Sequence, residues 1–582
     1  MQDHRNILLA ILLSVLLLFG WDAAMNYLYP QPEEVARTVE KVDTPSEQVA
    51  AQHSRTGGLV DPAELAREKV DVAQALASPD RVRIDSPKVA GSINLRGAVI
   101  DDIVLKDYDE NTDADSDPVR LFSPRGTPAQ QFAQFGWVGS NIAVPDADTV
   151  WEAEGGVLGQ GRPVTLRHDN GQGQQFAIRL TIDDNYMITA QQSVANVGGA
   201  PIVVQPFGLI NRTSRTASED LWVAHSGPIG VFGDAADYDI DYSTLDEDGR
   251  VTPQGRPSWL GFTDIYWLSA LVPQDGTSPN ATFRPLGGET YRSDMIYEPV
   301  TVPAGSSLST TSRLYAGAKD STVLDSYQDA GIAQFGLAID WGWFRWFEKP
   351  FLWLLKNIFA LVGNFGVAII LLTIIVRGAM FPVAQKQFAS MASMKAIQPK
   401  MKALQEKYKD DRQKQQQEIM ALYKREKVNP VAGCLPMLLQ IPIFFALYKV
   451  LILAIEMRHR DFLWIKDLSA PDPATILNLF GLLPFQPPGF LAIGVLALLL
   501  GFTMWLTFKL NPNMGDPIQQ QIFNIMPWIL MFVMAPFAAG LLLYWVTSNV
   551  LTLAQQKYLY SKHPKLRAQA EKEQAEEAAA KA

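Results

Sequence analysis

Arg377 is a full positive charge set in an apolar stretch, and Thr373 stands one helical turn before it. On a helix the two share a side. A guanidinium in such surroundings makes and breaks no covalent bond. It can instead hold water, or attract an anionic group, at a depth where either is costly. A charge at mid-span costs about 2.5–3.5 kcal/mol on insertion scales, and more by other estimates. The local sequence leaves two fates open. Either the arginine faces a wet cavity or a partner, or its stem lies on apolar surface while its head reaches the nearer headgroups. Seven residues, Gly378 to Ala384, all apolar or glycine, separate it from Gln385 and Lys386.

Motifs for conventional catalysis are missing. There is no G-x-x-x-x-G-K-[ST] loop, no H-E-x-x-H and no G-x-S-x-G, and the six histidines have no ligand spacing. Cys434 is the single cysteine, which excludes an intramolecular disulfide framework and a cysteine metal cluster. In its apolar run it reads as a small buried hydrophobe. The expectation is a protein that is not an enzyme and carries neither cofactor nor metal.

The elements around Arg377 divide sharply in composition. The chain has 582 residues and a net charge of −11. Residues 31–340 hold 23 Lys and Arg against 44 Asp and Glu, a net of −21, so the remaining segments sum to +10. An acidic soluble region is joined to a basic, apolar one. Residues 1–29, with Arg5 ahead of Ile7–Phe19 and Asp22 behind, read as an uncleaved signal-anchor with a cytoplasmic N-terminus. Residues 30–80, rich in Pro, Glu, Gln and Ser, read as a flexible tether, with room for a short helix near Pro62–Leu76.

In residues 81–330 the hydrophobic period becomes two. Phe176, Ile178, Leu180 and Ile182 alternate with polar neighbours, and Asp183-Asp184-Asn185 turn the chain into Tyr186, Ile188 and Ala190. Short strands recur at 92–95, 98–105, 201–207 and 307–315, which predicts a large antiparallel β-sandwich. Residues 331–360 carry an aromatic and charged run from Trp341 to Leu355 that suits a helix lying in a membrane interface.

A second span is expected over 361–384, and four more over 429–560, where Pro536 and Gly540 break a 33-residue apolar run into two. Between them, residues 385–428 read as a helical hairpin with a Lys409-Asp410-Asp411 turn. This hairpin holds 11 Lys and Arg against 5 Asp and Glu. With six spans in all, the hairpin and the basic tail 561–582 both lie on the cytoplasmic side, as the positive-inside rule asks. The hairpin is either a spacer or a docking surface for ribosomal RNA, lipid headgroups or apolar segments. The expected fold is therefore a polytopic α-helical membrane protein of six spans, joined to a large β-sandwich.

Three stretches carry a resemblance. They are Asn429-Pro430-Val431-Ala432-Gly433-Cys434-Leu435-Pro436 continuing to Gln440, Pro442 and Phe444; Val376-Arg377-Gly378 through Pro382, with Met394 and Gln398-Pro399-Lys400; and Gly540 through Tyr544-Trp545 to Ser548-Asn549. They resemble the five-span core of the YidC membrane protein insertase family. Gly91-Ser92-Ile93-Asn94-Leu95 and Phe135-Gly136-Trp137-Val138 resemble the periplasmic domain of its Gram-negative form. The resemblance implies a hydrophilic groove open to cytoplasm and lipid, with Arg377 as the groove arginine and Thr373, Gln440, Tyr544 and Trp545 on the substrate-contacting face. Trp545 stands where Gram-negative relatives often have Tyr, so the aromatic surface is kept and a hydroxyl is lost. The implied location is the bacterial inner membrane. The implied partners are nascent membrane proteins, the Sec translocon, the lipid bilayer, and the ribosome and targeting factors through the hairpin and tail. Two other classes compete: a solute transporter or channel, and a membrane-anchored binding protein with Trp222, Trp259, Tyr266 and Trp267 lining a saccharide cleft.

Overall fold

The computed structural model describes residues 37–40, 71–140, 142–214, 224–233, 235–342, 345–409, 411–426, 435–483, 485, 487, 492–510 and 517–562. The expected anchor 1–29, most of the tether, the Asn429–Cys434 run, Trp222 and the tail beyond Lys562 lie outside the described residues. Along the chain, two compact units meet between Asp340 and Trp341.

In the first unit, alternating apolar residues build strands with one buried face. Strand Gln174–Ile182 buries Phe176, Ile178, Leu180 and Ile182 and pairs antiparallel with Met187–Asn196. The Asp183 carboxylate closes the hairpin by accepting the backbone N–H groups of Asn185 (2.9 Å) and Met187 (3.1 Å). This hairpin belongs to a nine-stranded sheet, and a second sheet has twelve strands. Pairing is antiparallel except where Arg81–Asp85 runs parallel to Val157–Leu158. The sheets are tied across their interface by buried polar contacts. Gln192 donates to the Gly136 carbonyl (2.7 Å), Gln131 donates to Ser269 Oγ (2.8 Å), and Arg212 pairs with Asp264 at 2.6 Å.

Two motif glycines have steric reasons. A Cβ at Gly136 would enter the ring of Phe207, its cross-strand partner, and one at Gly91 would collide with the Asp102 carbonyl. Trp137 and Trp259 are fully buried, with Trp259 edge-on to Phe335 at 5.5 Å. Trp259 is thus core and lines no cleft. Trp267 is packed edge-on to Tyr108 at 5.3 Å.

The tether reading needs correction at one place: Arg37–Glu40 forms a strand that pairs with Arg250–Pro253 at the sheet edge. Composition averaged over fifty residues hides four that an exposed sheet edge can recruit through their backbone. The short helix expected near Pro62–Leu76 is described as α1 (Val72–Leu76), capped by Asp71. Helices α2 (Tyr242–Asp248) and α3 (Ser321–Asp329) complete the unit.

The second unit is helical: α4 (Arg345–Val362), α5 (Phe365–Ala379), α6 (Phe381–Lys407), α7 (Arg412–Arg425), α8 (Leu435–Leu453), α9 (Val495–Leu510), α10 (Pro517–Met534) and α11 (Ala539–Lys562). Helix α4 buries Leu352, Leu355 and Ile358 and leaves Trp353 exposed. Helices α6 and α7 form an antiparallel pair held by Lys400–Glu426 (2.7 Å) and by Gln415 donating to the Gln405 carbonyl (2.9 Å). Asp411 caps α7 by accepting from the Lys414 N–H. Helix α5 packs on α4 and α11, α11 on α9, and α9 on α10, while α8 meets α4 and α11.

Among the described residues, no helix is both long and apolar enough to cross a membrane by itself. The expected six spans are therefore not present there as six single helices. Helices α5 and α9, at 15 and 16 residues, are only about 22–24 Å long. Helix α11 has 24 residues but carries Thr547, Ser548, Asn549, Thr552, Gln555 and Gln556 in its length.

One buried cation gives the first unit a pH signature. Burial pulls the Lys319 ammonium from 10.5 down to about 8, against the opposing attraction of Asp264 and Asp340, and its Nζ donates to Thr263 Oγ1 at 3.0 Å. The unfolded chain keeps this proton between pH 8 and 10.5 while the folded one releases it. Stability should therefore rise with pH across that window, by on the order of 3 kcal/mol. Denaturant unfolding of Lys319→Met, followed by tryptophan fluorescence, should show no such rise and no loss of stability at pH 7. A wild-type curve that is flat from pH 8 to 10.5 would contradict this.

Candidate functional site

Arg377 does not sit at the middle of its helix. It occupies the last turn of α5, because Met380 ends that helix and Pro382, with no N–H to donate, opens α6. At the other end Asn364 caps α5 by accepting the Val367 N–H at 3.1 Å. Gly366 lets the helix press on Phe462, whose ring a Cβ would enter.

Helix α11 supplies the facing surface. Its first-turn N–H groups are satisfied by backbone: Ala539 donates to the Ala470 carbonyl (2.8 Å) and Gly540 to that of Leu468 (2.9 Å). From there Tyr544, Ser548, Thr552 and Gln556 recur every four residues, a polar stripe along the helix. Arg377 Nε donates to Ser548 Oγ at 2.9 Å, and one terminal nitrogen of the guanidinium donates to the same oxygen. Tyr544, buried one turn earlier, lies within electrostatic reach of the guanidinium. Among the described residues no carboxylate forms an ion pair with Arg377. A hydroxyl fixes the guanidinium's position without neutralising it.

The other expected site residues are placed as follows. Thr373 is fully buried, and its hydroxyl donates back to the Ile369 carbonyl at 2.7 Å. Its oxygen serves its own helix and its methyl packs. Trp545 is half-buried, with its ring 4.9 Å from that of Phe444, a contact between α11 and α8. Gln440 lies in α8 by its backbone, and its side chain is outside the described residues. The structure thus brings Arg377, Tyr544 and Ser548 together and sets Trp545 against Phe444.

Sequence reasoning named Ser548 and Asn549 in a motif but gave them no role, and it missed Thr503. Buried Asn549 donates from Nδ2 to Thr503 Oγ1 at 3.2 Å, which joins α11 to α9. The four-residue spacing from Tyr544 to Ser548 was a usable signal. Thr503, alone in an apolar helix, offered none.

Residues 357–566 match the family described as 60Kd inner membrane protein, and residues 81–354 match the YidC periplasmic domain. The membrane protein insertase YidC of Zymomonas mobilis is 43% identical over 97% of this chain and 96% of its own. That of Beijerinckia indica is also 43% identical, over 96% of each. The chain belongs to the YidC membrane protein insertase family. A crystal structure of an active YidC insertase with its first transmembrane domain resolved covers 84% of this chain and 95% of that one, at 18% identity and a TM-score of 0.36. The match to the family's periplasmic domain covers the β-sheet unit from Arg81 onward and runs on into α4.

The Asn549–Thr503 contact is testable by a double-mutant cycle. Asn549→Ala and Thr503→Ala should each lower the detergent-solubilised protein's unfolding midpoint. Their coupling should be about 0.6 kcal/mol, typical of hydrogen bonds between membrane helices. Strict additivity of the two losses would mean that the bond contributes nothing.

Proposed function

We propose that this chain inserts membrane proteins into the bacterial inner membrane by letting a client's polar tail enter a wet groove between α5 and α11. The single observation carrying this reading is the partly buried Arg377 guanidinium at the end of the apolar helix α5, held by the Ser548 hydroxyl of α11. Family membership supports the insertase role. Arg377 lies thirteen positions after Asn364, about 20 Å along the helix. If Asn364 marks the periplasmic boundary of a hydrocarbon core about 30 Å thick, Arg377 lies two-thirds of the way across. Water reaching the charge from the cytoplasmic side leaves a shorter dry path for the tail.

Arg377 keeps water in the groove and attracts acidic groups of the tail. Trp545 and Phe444 offer an aromatic surface for the apolar segment as it leaves for lipid. Burial of that segment drives the step at about 25 cal/mol per Å². The step makes no bond and uses no nucleotide, in keeping with a sequence that lacks a P-loop. The proposed topology has six membrane crossings with both termini cytoplasmic. Because α5 and α9 are short, those crossings draw on the segments that flank them. Nascent membrane proteins are the substrates. The Sec translocon and the ribosome are further partners, the latter through the basic α6–α7 hairpin and the tail.

Proteoliposomes of the purified protein test the groove. Arg377→Ala should reduce insertion of a client with an acidic translocated tail several-fold more than that of a neutral one, while Arg377→Lys keeps most activity. Ser548→Asp, which sets a carboxylate against the guanidinium, should behave like Arg377→Ala. Equal losses on both clients at unchanged protein levels would rule out tail attraction.

Replacing 388–426 with a Gly/Ser linker of similar reach should lower insertion, because the basic, methionine-bearing hairpin receives clients on the cytoplasmic side. Full activity of that variant would reduce the hairpin to a spacer.

A further inference from the structure

The connection between α8 and α9 contains a compact loop, Thr475–Leu483, with its polarity turned inward. Asn478, only 6% exposed, is the hub. Its Oδ1 accepts the N–H groups of Thr475 (3.0 Å) and Gly481 (2.8 Å), and its Nδ2 donates to the Pro473 carbonyl (2.9 Å). Thr475 Oγ1 accepts the Asn478 N–H at 3.3 Å, and the N–H groups of Phe480 and Leu483 donate to the carbonyls of Thr475 (2.7 Å) and Asn478 (3.0 Å). Of the nine backbone N–H groups from Thr475 to Leu483, eight find acceptors within the protein.

The outside of the loop is apolar. Ile476, Leu477, Leu479, Phe480, Leu482 and Leu483 are all more than two-fifths exposed, and Leu482 is 82% exposed. Leu479 and Phe480 hold left-handed backbone angles, φ 51° and 59°, which bulky residues rarely adopt. From Pro473 to Phe508 the sequence has no Asp, Glu, Lys, Arg or His. A loop facing water would be expected to carry charge and to leave some backbone for solvent.

The base of the loop is locked to the start of α9. Asp472, 3% exposed, accepts the Leu496 N–H (2.8 Å), the Ala474 N–H (3.0 Å) and the Trp464 indole N–H (3.0 Å). It caps α9 from outside the helix, and backbone bonds join Ile476 to Ile493 and Val495 to Ala474. Helix α9 reaches only about 24 Å, and Lys509 stands near its far end, so its hydrophobic shortfall against a core of about 30 Å falls on the loop's side. The apolar surface of the loop is thus joined to exposed Leu499 and Phe502 on α9.

We propose that Thr475–Leu483 is a lipid-embedded finger, whose apolar side chains enter the acyl-chain boundary of the periplasmic leaflet and complete the crossing begun by α9. The proposal rests on the reading that α9 crosses the membrane. With eight of its nine N–H groups satisfied within the protein, this irregular backbone can approach the acyl-chain boundary. Trp464, half-exposed and anchored on Asp472, suits the headgroup level beside it.

Labelling the full chain in vesicles tests this. On a Cys434→Ser background, an environment-sensitive fluorophore is attached in turn at Leu482→Cys, Phe480→Cys, Phe502→Cys and, as a hydrophilic control, Glu406→Cys. Lipids carrying a doxyl group high on the acyl chain should quench the labels at 480, 482 and 502. Iodide on both sides should quench those at 480 and 482 at least fivefold less than that at 406. Doxyl quenching at 502 with iodide quenching at 482 equal to that at 406 would put the loop in water and overturn the proposal. So would a label at 482 that neither agent reaches while doxyl reaches 502, since protein would then cover it. If doxyl quenches neither 482 nor 502, the membrane-crossing reading of α9 itself fails.

Discussion

The Arg377 guanidinium donates to a hydroxyl, Ser548 Oγ, and that choice of acceptor governs what the helical unit can do. A carboxylate in the same place would make a buried ion pair, strongly held and electrically silent. A hydroxyl gives direction without cancelling charge, so the field remains available to water and to anything acidic that approaches. The surrounding structure follows from this requirement. Helix α5 has to end soon after Arg377, α11 has to present a polar stripe at four-residue spacing, and Gly540 has to let α11 start hard against Met457 and the Leu468 carbonyl.

The β unit treats buried charge in the opposite way. Arg212 meets Asp264 and Arg81 meets Asp101, with both members of each pair nearly inaccessible to solvent. Burial raises the Asp101 carboxyl above its ordinary value even though Arg81 bonds to it. Removing one partner from such a pair would leave an uncompensated charge, at about 3–5 kcal/mol. These pairs pin sheet positions. They offer nothing to a ligand, and Trp259, which could have lined a cleft, is instead core. The same residue types thus fix geometry in one unit and keep a site charged in the other.

Short helices bring a second constraint. Helices α5 and α9 are shorter than a bilayer's hydrocarbon, and α11 is long but carries polar residues along its length. In the proposed topology such a unit would meet the membrane through its flanking segments as well as its helices, which ties the Asp472 cap and the folded loop beyond it to the proposed groove.

The sequence by itself determined what depends on near neighbours. The alternation through Phe176 and Ile182, the Asp183 turn, the helical period of the hairpin and its Asp411 cap are all local, and so is the break between Met534 and Ala539 at Pro536. The family was legible too, in runs such as Val376-Arg377-Gly378 and Phe135-Gly136-Trp137. Only the tertiary structure decided where Arg377 stands within its helix, because Met380 and Pro382 end α5 earlier than hydropathy suggests. Only it decided which atom receives the guanidinium, since Ser548 lies 171 positions away and no periodicity links them. Thr373 illustrates the limit. Its spacing placed it beside Arg377, but its burial, and the turn of its hydroxyl to the Ile369 carbonyl of its own helix, were not legible there. Spacing along a chain sets which residues share a face, and packing against a distant element sets what that face meets.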